Sequence, residues 1–159
     1  MNAQTQRIRE TLARDGTLAP ARDRVLGQIV FCEGCCCGRT DNGFPPVPRD
    51  WIKHRWKVEK LNRSVQLTFS GCLGPCDLAN VVCVILPEEM QWFGGLQETW
   101  QYDLLLDWAI ASRDAGALIE LPVELNRHRF ERFAVSKSCE KSDCMRSPAP
   151  SRRFQDVFP

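Results

Sequence analysis

Apolar and polar positions change period several times along this chain, and each change predicts an element. Val25-Leu26-Gly27-Gln28-Ile29-Val30-Phe31 is a short apolar run of the kind that forms a buried strand, and it ends at Cys32. Gly38, Gly43, Pro45, Pro46, Pro48 and the pair Asp41-Asn42 then make residues 38–48 a loop. Trp51, His54, Val58 and Leu61 fall at i, i+3, i+7 and i+10, with Pro48 and Asp50 as start signals, which predicts a helix over about 49–61. Val65-Gln66-Leu67-Thr68-Phe69 alternates as a half-buried strand does. Val81 to Leu86 reads as a central strand, Pro87-Glu88-Glu89 as a tight turn and Met90 to Phe93 as the hairpin partner. Trp100, Leu104, Trp108 and Ala111 repeat at helical spacing between Glu98 and a stop at Gly116. The order is βαβββα, which predicts an α/β domain on a mixed sheet over residues 25–118.

Around that domain the pattern weakens. Residues 1–24 form a polar N-terminal arm in which Ile8 and Leu12 leave room for one short helix. Residues 119–135 are expected to dock as an extension, through Leu121-Pro122 and Arg127 to Phe133. Residues 136–159 are rich in Ser, Pro and Arg and are expected to be a loose, disordered tail.

Composition narrows the function classes. A chain of 159 residues has room for one core, and 43% hydrophobic with 26% charged residues excludes disorder throughout. The longest apolar run, Val81 to Leu86, is far short of the roughly 18 residues that span a bilayer, so no membrane insertion is expected. Met1 to Arg7 holds no apolar signal segment, and the expected location is the cytoplasm. A net charge of +1 offers no general case for a nucleic-acid partner. Its distribution is uneven: Arg113 is the lone basic residue against six acidic ones over 97–125, and a basic stretch follows.

Cysteine carries the chemistry. Nine cysteines without a secretion signal argue against a disulfide framework and for metal ligation or redox work. Six lie in two loops that each follow a predicted strand: Cys32-Glu33-Gly34-Cys35-Cys36-Cys37 and Cys72-Leu73-Gly74-Pro75-Cys76. A polynuclear centre needs four thiolates converging from rigid positions, which loops at the ends of neighbouring strands supply. Gly34, Gly38, Gly71 and Gly74 let the backbone wrap closely and aim N–H groups at an anionic centre.

Cys32-x4-Cys37 followed by Cys72-x3-Cys76 resembles the ligand pattern of thioredoxin-like 2Fe-2S ferredoxins. Gly71-Cys72-Leu73-Gly74-Pro75-Cys76, then an apolar strand, a Pro turn and an aromatic before Gly94-Gly95, is similar to the second half of that family's motif. The resemblance covers roughly residues 25–115. It implies a thioredoxin-like ferredoxin fold and one 2Fe-2S cluster on Cys32, Cys37, Cys72 and Cys76. It also implies one-electron transfer to or from a redox protein partner, such as a reductase. Relatives of that fold often form dimers, so a homodimer is among the expected states. The chain departs from the pattern in three places. Asp77-Leu78-Ala79-Asn80 replaces a small apolar or Gly-Pro pair, residues 43–48 lengthen the link to the helix, and three adjacent cysteines compete for one position. Cys37 keeps the x4 spacing; Cys36 and Cys35 are its alternatives.

Two other readings use the same residues. A closed four-cysteine zinc site could combine Cys32-x2-Cys35 with Cys72 and Cys76. Thiol-disulfide exchange could use Cys32 and Cys35, but a reactive thiol of that kind needs a helix N-terminus beside it, and the prolines push the helix away. No acid–base or nucleophilic dyad and no phosphate loop is evident, so an electron carrier is expected rather than an enzyme. Cys83, inside Val-Val-Cys-Val-Ile, is expected in the core. Cys139 and Cys144 are expected as free thiols in the tail, His54 and His128 as surface or helix-face residues, and Trp51, Trp92, Trp100 and Trp108 as core.

Overall fold

Residues 2–18 and 25–134 are described in the computed structural model of the chain. The expected tail over 136–159, with Cys139 and Cys144, lies outside the described residues, as does the end of the N-terminal arm. Asn2 accepts the Thr5 N–H and caps α1 (Ala3–Asp15), whose left-handed stop is Gly16. This helix buries no residue. Ile8 and Leu12, the apolar pair of the arm, stay exposed on it.

The core elements follow in the expected order: β1 (Gly27–Cys32), α2 (Arg49–Val58), β2 (Val65–Ser70), β3 (Val82–Ile85), β4 (Met90–Phe93) and α3 (Thr99–Ala115). A short fifth strand, β5 (Arg129–Phe130), completes a mixed sheet in the order β2-β1-β3-β4-β5. β1 and β2 run parallel, in register from Gly27 opposite Val65 to Cys32 opposite Ser70. A parallel neighbour requires a crossover, and the segment carrying α2 supplies it. The remaining pairs are antiparallel.

Strand alternation sends Ile29 and Phe31 of β1, Val65 of β2, Val82 and Val84 of β3 and Phe93 of β4 into one core. Ile52 and Trp56 of α2 and Tyr102, Leu105, Leu106, Trp108 and Ala109 of α3 cover them. The two deepest indoles are satisfied: Trp56 Nε1 donates to Val65 O at 3.0 Å and Trp108 Nε1 to Ile119 O at 2.8 Å. Cys83 is buried on β3, as expected of a core thiol, and burial pushes its pKa up to about 11.

Both helices sit at a phase the tryptophan spacing misread. α2 buries Ile52 and Trp56, whereas Val58 is 58% exposed and His54 faces outward. The helix stops at Val58. Left-handed Lys60 (φ 55°) turns the chain, and Leu61 enters the core from the following 3-10 turn rather than from the helix. α3 buries Gln101, Tyr102, Leu105, Leu106, Trp108, Ala109 and Ser112, so of the expected stripe Trp108 alone is fully inside and Trp100 is exposed. Its ends match the expectation. Glu98 and Gln101 form a reciprocal capping box, and left-handed Gly116 ends the helix.

After α3 the chain packs back on the edge of the sheet. A 3-10 turn over Val123–His128 buries Leu125 and leads into β5, which pairs Phe130 with Trp92 and Arg129 with Phe93. His128 is tied in rather than left on the surface: its Nδ1–H donates to Gly94 O at 3.0 Å and its Nε2 accepts the Gln101 amide at 2.8 Å, the tautomer being set by those partners.

The helix phase is testable. Ile52→Ala should cost about 2–5 kcal/mol in chemical denaturation, and Val58→Ala should stay within about 0.5 kcal/mol. The reverse ranking would restore the phase read from the tryptophans.

Candidate metal centre

The β1–β2 register starts both cysteine loops at the same level of the sheet, because Cys32 lies opposite Ser70. Glu33 N–H then donates to Ser70 O at 3.1 Å, and Cys32 N–H to Val81 O at 3.0 Å, so the first loop leaves the sheet pinned on both sides. Gly34 presses on the second loop: a Cβ there would lie 3.0 Å from Cys72 N. No larger residue fits this crossing without displacing backbone.

Three sulfurs from the two loops meet. Cys35 Sγ is 3.0 Å from Cys76 Sγ and 3.4 Å from Cys72 Sγ, and Cys72 Sγ is 3.3 Å from Cys76 Sγ. Cys36 joins Cys35 and Cys76 in a group whose ligand atoms lie within 4.8 Å of one another. Cys35 and Cys72 are exposed. Cys32 and Cys37 sit deeper, both buried in one cluster with Ala79 and Val81, and Cys32 Sγ donates to Gly71 O at 3.7 Å. The Leu73 N–H points at Cys32 Sγ from 3.4 Å.

Thiols this close cannot all ionise independently. The contacts with Cys76 and then Cys72 hold Cys35 below the usual thiol range, and the proximity of Cys32 does the same for Cys37. Their partners move the other way: Cys32 is held up by the proximity of Cys37 and then by burial, and Cys76 by its contacts with Cys35 and Cys72. Burial raises Cys36. A soft cation entering the group would displace the remaining protons.

The four residues expected from sequence are thus all in this corner of the fold. Cys72 and Cys76 are in contact, and Cys32 shares a buried cluster with Cys37. The thiol that closes on Cys72 and Cys76 is Cys35, which the x4 spacing ranked behind Cys37. Gly34 was the available signal, since it lets the first loop cross the second directly before Cys35. The group of potential metal ligands found among the described residues consists of cysteines alone.

Asn80 holds the second loop in place. It is 2% exposed, and its Oδ1 accepts the Gly38 N–H at 2.8 Å. Its amide nitrogen donates to Pro45 O at 3.0 Å, Leu96 O at 3.2 Å and Tyr102 Oη at 3.2 Å. That side chain therefore ties the segment that follows the second cysteine loop to the end of the first, the proline-rich insert and α3. Burial pushes the Tyr102 phenol up to about 12 and keeps it neutral as a partner. Charged residues line the same loops: Arg49 of α2 pairs with Glu33, and Arg39 pairs with Asp41 at 2.6 Å. From the extension, Arg132 lays its guanidinium across Gly74, the residue midway between Cys72 and Cys76 in the chain. No described helix is long and apolar enough to cross a membrane.

No family model, no curated protein and no solved structure matches this chain.

These contacts rank the cysteine variants. Cys72→Ser and Cys76→Ser should each weaken Cd²⁺ binding by the apoprotein by more than the 10–100-fold typical of losing a supporting contact. Asn80→Ala should cost about 1–3 kcal/mol for each buried group left unpaired and also weaken Cd²⁺, because both loops loosen. Affinity should fall as pH falls, since Cys32 and Cys76 hold their protons above the usual thiol range and bound metal requires thiolates. Isothermal titration at two pH values checks all three. Unchanged affinity in Cys76→Ser would remove the second loop from the centre.

Proposed function

We propose that the cysteine loops hold one 2Fe-2S cluster and that the protein is a small one-electron carrier of the thioredoxin-like 2Fe-2S ferredoxin type. The observation that carries this reading is the convergence of cysteines at the ends of two parallel neighbours, with Cys72 3.3 Å from Cys76 in one loop and Cys32 and Cys37 buried in one cluster in the other. Two thiolates on one tetrahedral metal stand about 3.8 Å apart for metal–sulfur bonds of about 2.3 Å. The 3.3 Å between Cys72 and Cys76 needs only a slight opening to meet that spacing. The donor set is sulfur alone, which suits soft metals and iron–sulfur centres.

Cys32, Cys37, Cys72 and Cys76 would be the ligands, with Cys36 or Cys35 as the alternatives to Cys37. The bound cluster supplies storage of one electron. The chain supplies the rest. The Leu73 N–H stabilises negative charge on Cys32, burial of Cys32 and Cys37 keeps water from the inner side, and exposed Cys35 and Cys72 mark the side open to a partner. A redox protein is the partner this requires. Lys53 and Lys57, exposed and four residues apart on α2, favour an acidic one: Lys53 lies 5.5 Å over Phe69, one residue before the end of β2. No independent catalysis is assigned, and the cytoplasm is the proposed location.

One observation favours a second reading. Cys35, Cys72 and Cys76 already form a triangle with edges of 3.0 to 3.4 Å, and Cys36 is near enough to make a fourth ligand. That arrangement suits a single tetrahedral zinc.

Metal analysis separates the readings. Protein purified and reconstituted anaerobically should carry about two iron and two sulfide per chain. One zinc per chain with no iron uptake would replace the cluster by the structural site. Metal-free protein that reduces disulfides would favour thiol exchange. For the iron-loaded protein, Lys53→Glu with Lys57→Glu should slow electron uptake from flavodoxin, an acidic donor, at low salt. The difference should fade as salt rises past a Debye length of about 8 Å. Equal rates at low salt would place docking elsewhere.

A further inference from the structure

Arg132 has no role in the pattern that named the cysteines, yet the fold brings it from the far end of the chain to the centre of the second loop. β5 pairs with β4 through Phe130 and Trp92, Gly94 N–H bonds to His128 O at 2.9 Å, and Arg129 pairs with Glu89 at 3.7 Å. Arg132 follows two residues after this anchor. Its guanidinium then lies so close over Gly74 that a Cβ at that position would be 2.5 Å from Nη2. Gly74 has φ +113°, which L side chains rarely adopt, so its backbone disfavours a larger residue, and the glycine leaves the space that the guanidinium fills.

The environment of this arginine is unusual. None of the ion pairs among the described residues involves it. Its protein neighbours are aromatic faces, with the guanidinium carbon 5.9 Å from the Trp92 ring and 5.6 Å from the Phe133 ring. Its Nε is buried without an acceptor, as is Trp92 Nε1. A cation with an unsatisfied buried donor is unfavourable unless negative charge lies close by. No carboxylate among the described residues pairs with it, and the loop it covers carries Cys72 and Cys76, each two residues from Gly74, whose thiolates are the negative charge that loop can supply.

We propose that Arg132 is the charge-compensating residue of the cysteine centre, and that the C-terminal extension docks on β4 to deliver it. The inference rests on the loops holding a metal–thiolate centre; it holds for either nuclearity, because four thiolates leave the centre net negative with one zinc or with a 2Fe-2S unit. The fixed positive charge stabilises the thiolates before metal enters and favours the reduced, more negative state of a redox centre. Arg132 acts through its field and is a positioning residue, not a ligand.

The test compares Arg132→Gln and Arg132→Lys in the full chain. The apoprotein is titrated with Co²⁺, read by its thiolate charge-transfer band; the iron-loaded protein is titrated for reduction potential, and thermal melting is followed in parallel. Arg132→Gln should weaken Co²⁺ about tenfold and lower the potential by up to about 59 mV, a tenfold change for one electron. Arg132→Lys should recover most of both effects, even if it melts as early as Arg132→Gln through losing its aromatic contacts. Unchanged Co²⁺ affinity and potential in Arg132→Gln would overturn the proposal, whatever the melting temperature, and so would equal losses in both variants. A wild-type chain that takes up neither Co²⁺ nor iron would overturn the metal-centre reading and this inference with it. A wild type that binds normally beside an unaffected variant would overturn this inference alone.

Discussion

Everything at the cysteine centre depends on β1 and β2 being parallel and in register up to Cys32 and Ser70. Had the two strands been antiparallel, the loop after β1 and the loop after β2 would leave from opposite ends of the sheet. Because they are parallel, both loops emerge at one edge, where Gly34 crosses onto Cys72 and Cys35 meets Cys72 and Cys76. The core beneath enforces that register. Val65, Ile29 and Phe31 are buried against Trp56 and Leu105, and a one-residue slip would send their side chains to the other face of the sheet. Trp56 Nε1, bonded to Val65 O, ties the crossover helix to the start of β2.

Two long-range contacts then convert adjacent loops into a shaped site. Asn80, just after the second cysteine loop, satisfies its amide on the end of the first loop, the insert over residues 43–48, Leu96 and α3. The insert, which departs from the ferredoxin pattern, thereby becomes part of the support of the site. Arg132 reaches Gly74 from the docked extension. A thiolate-rich corner is electrostatically unfavourable without compensation, and the backbone N–H of Leu73 and the guanidinium of Arg132 are the donors placed to provide it.

The sequence made the strands, the element order and the two cysteine loops legible because those signals are local. Met90 to Phe93 follows a Pro turn, and Gly116 is a stop that only a left-handed residue fills easily. Helix phase was harder to read. Trp100 and Val58 suggested inner faces, but the tertiary core selected Ile52, Trp56, Leu105 and Leu106 and left Trp51 at its edge, and propensity carries no information about which apolar stripe meets the sheet. The pairing of Cys35 with the second loop was hidden for a similar reason, since it depends on where Gly34 crosses Cys72. Asn80 read as a departure from the motif because its partners are distant in the chain. Arg132 was illegible: its position follows from β5 pairing with β4, a contact between two residues on each side.

If both loops hold one iron–sulfur centre through sulfur alone, X-ray absorption at the iron edge of the anaerobically reconstituted protein should show an all-sulfur first shell and a second iron as the nearest metal neighbour, both lost in Cys76→Ser. A first shell containing nitrogen or oxygen, or a wild-type spectrum with no iron–iron scattering, would contradict that centre.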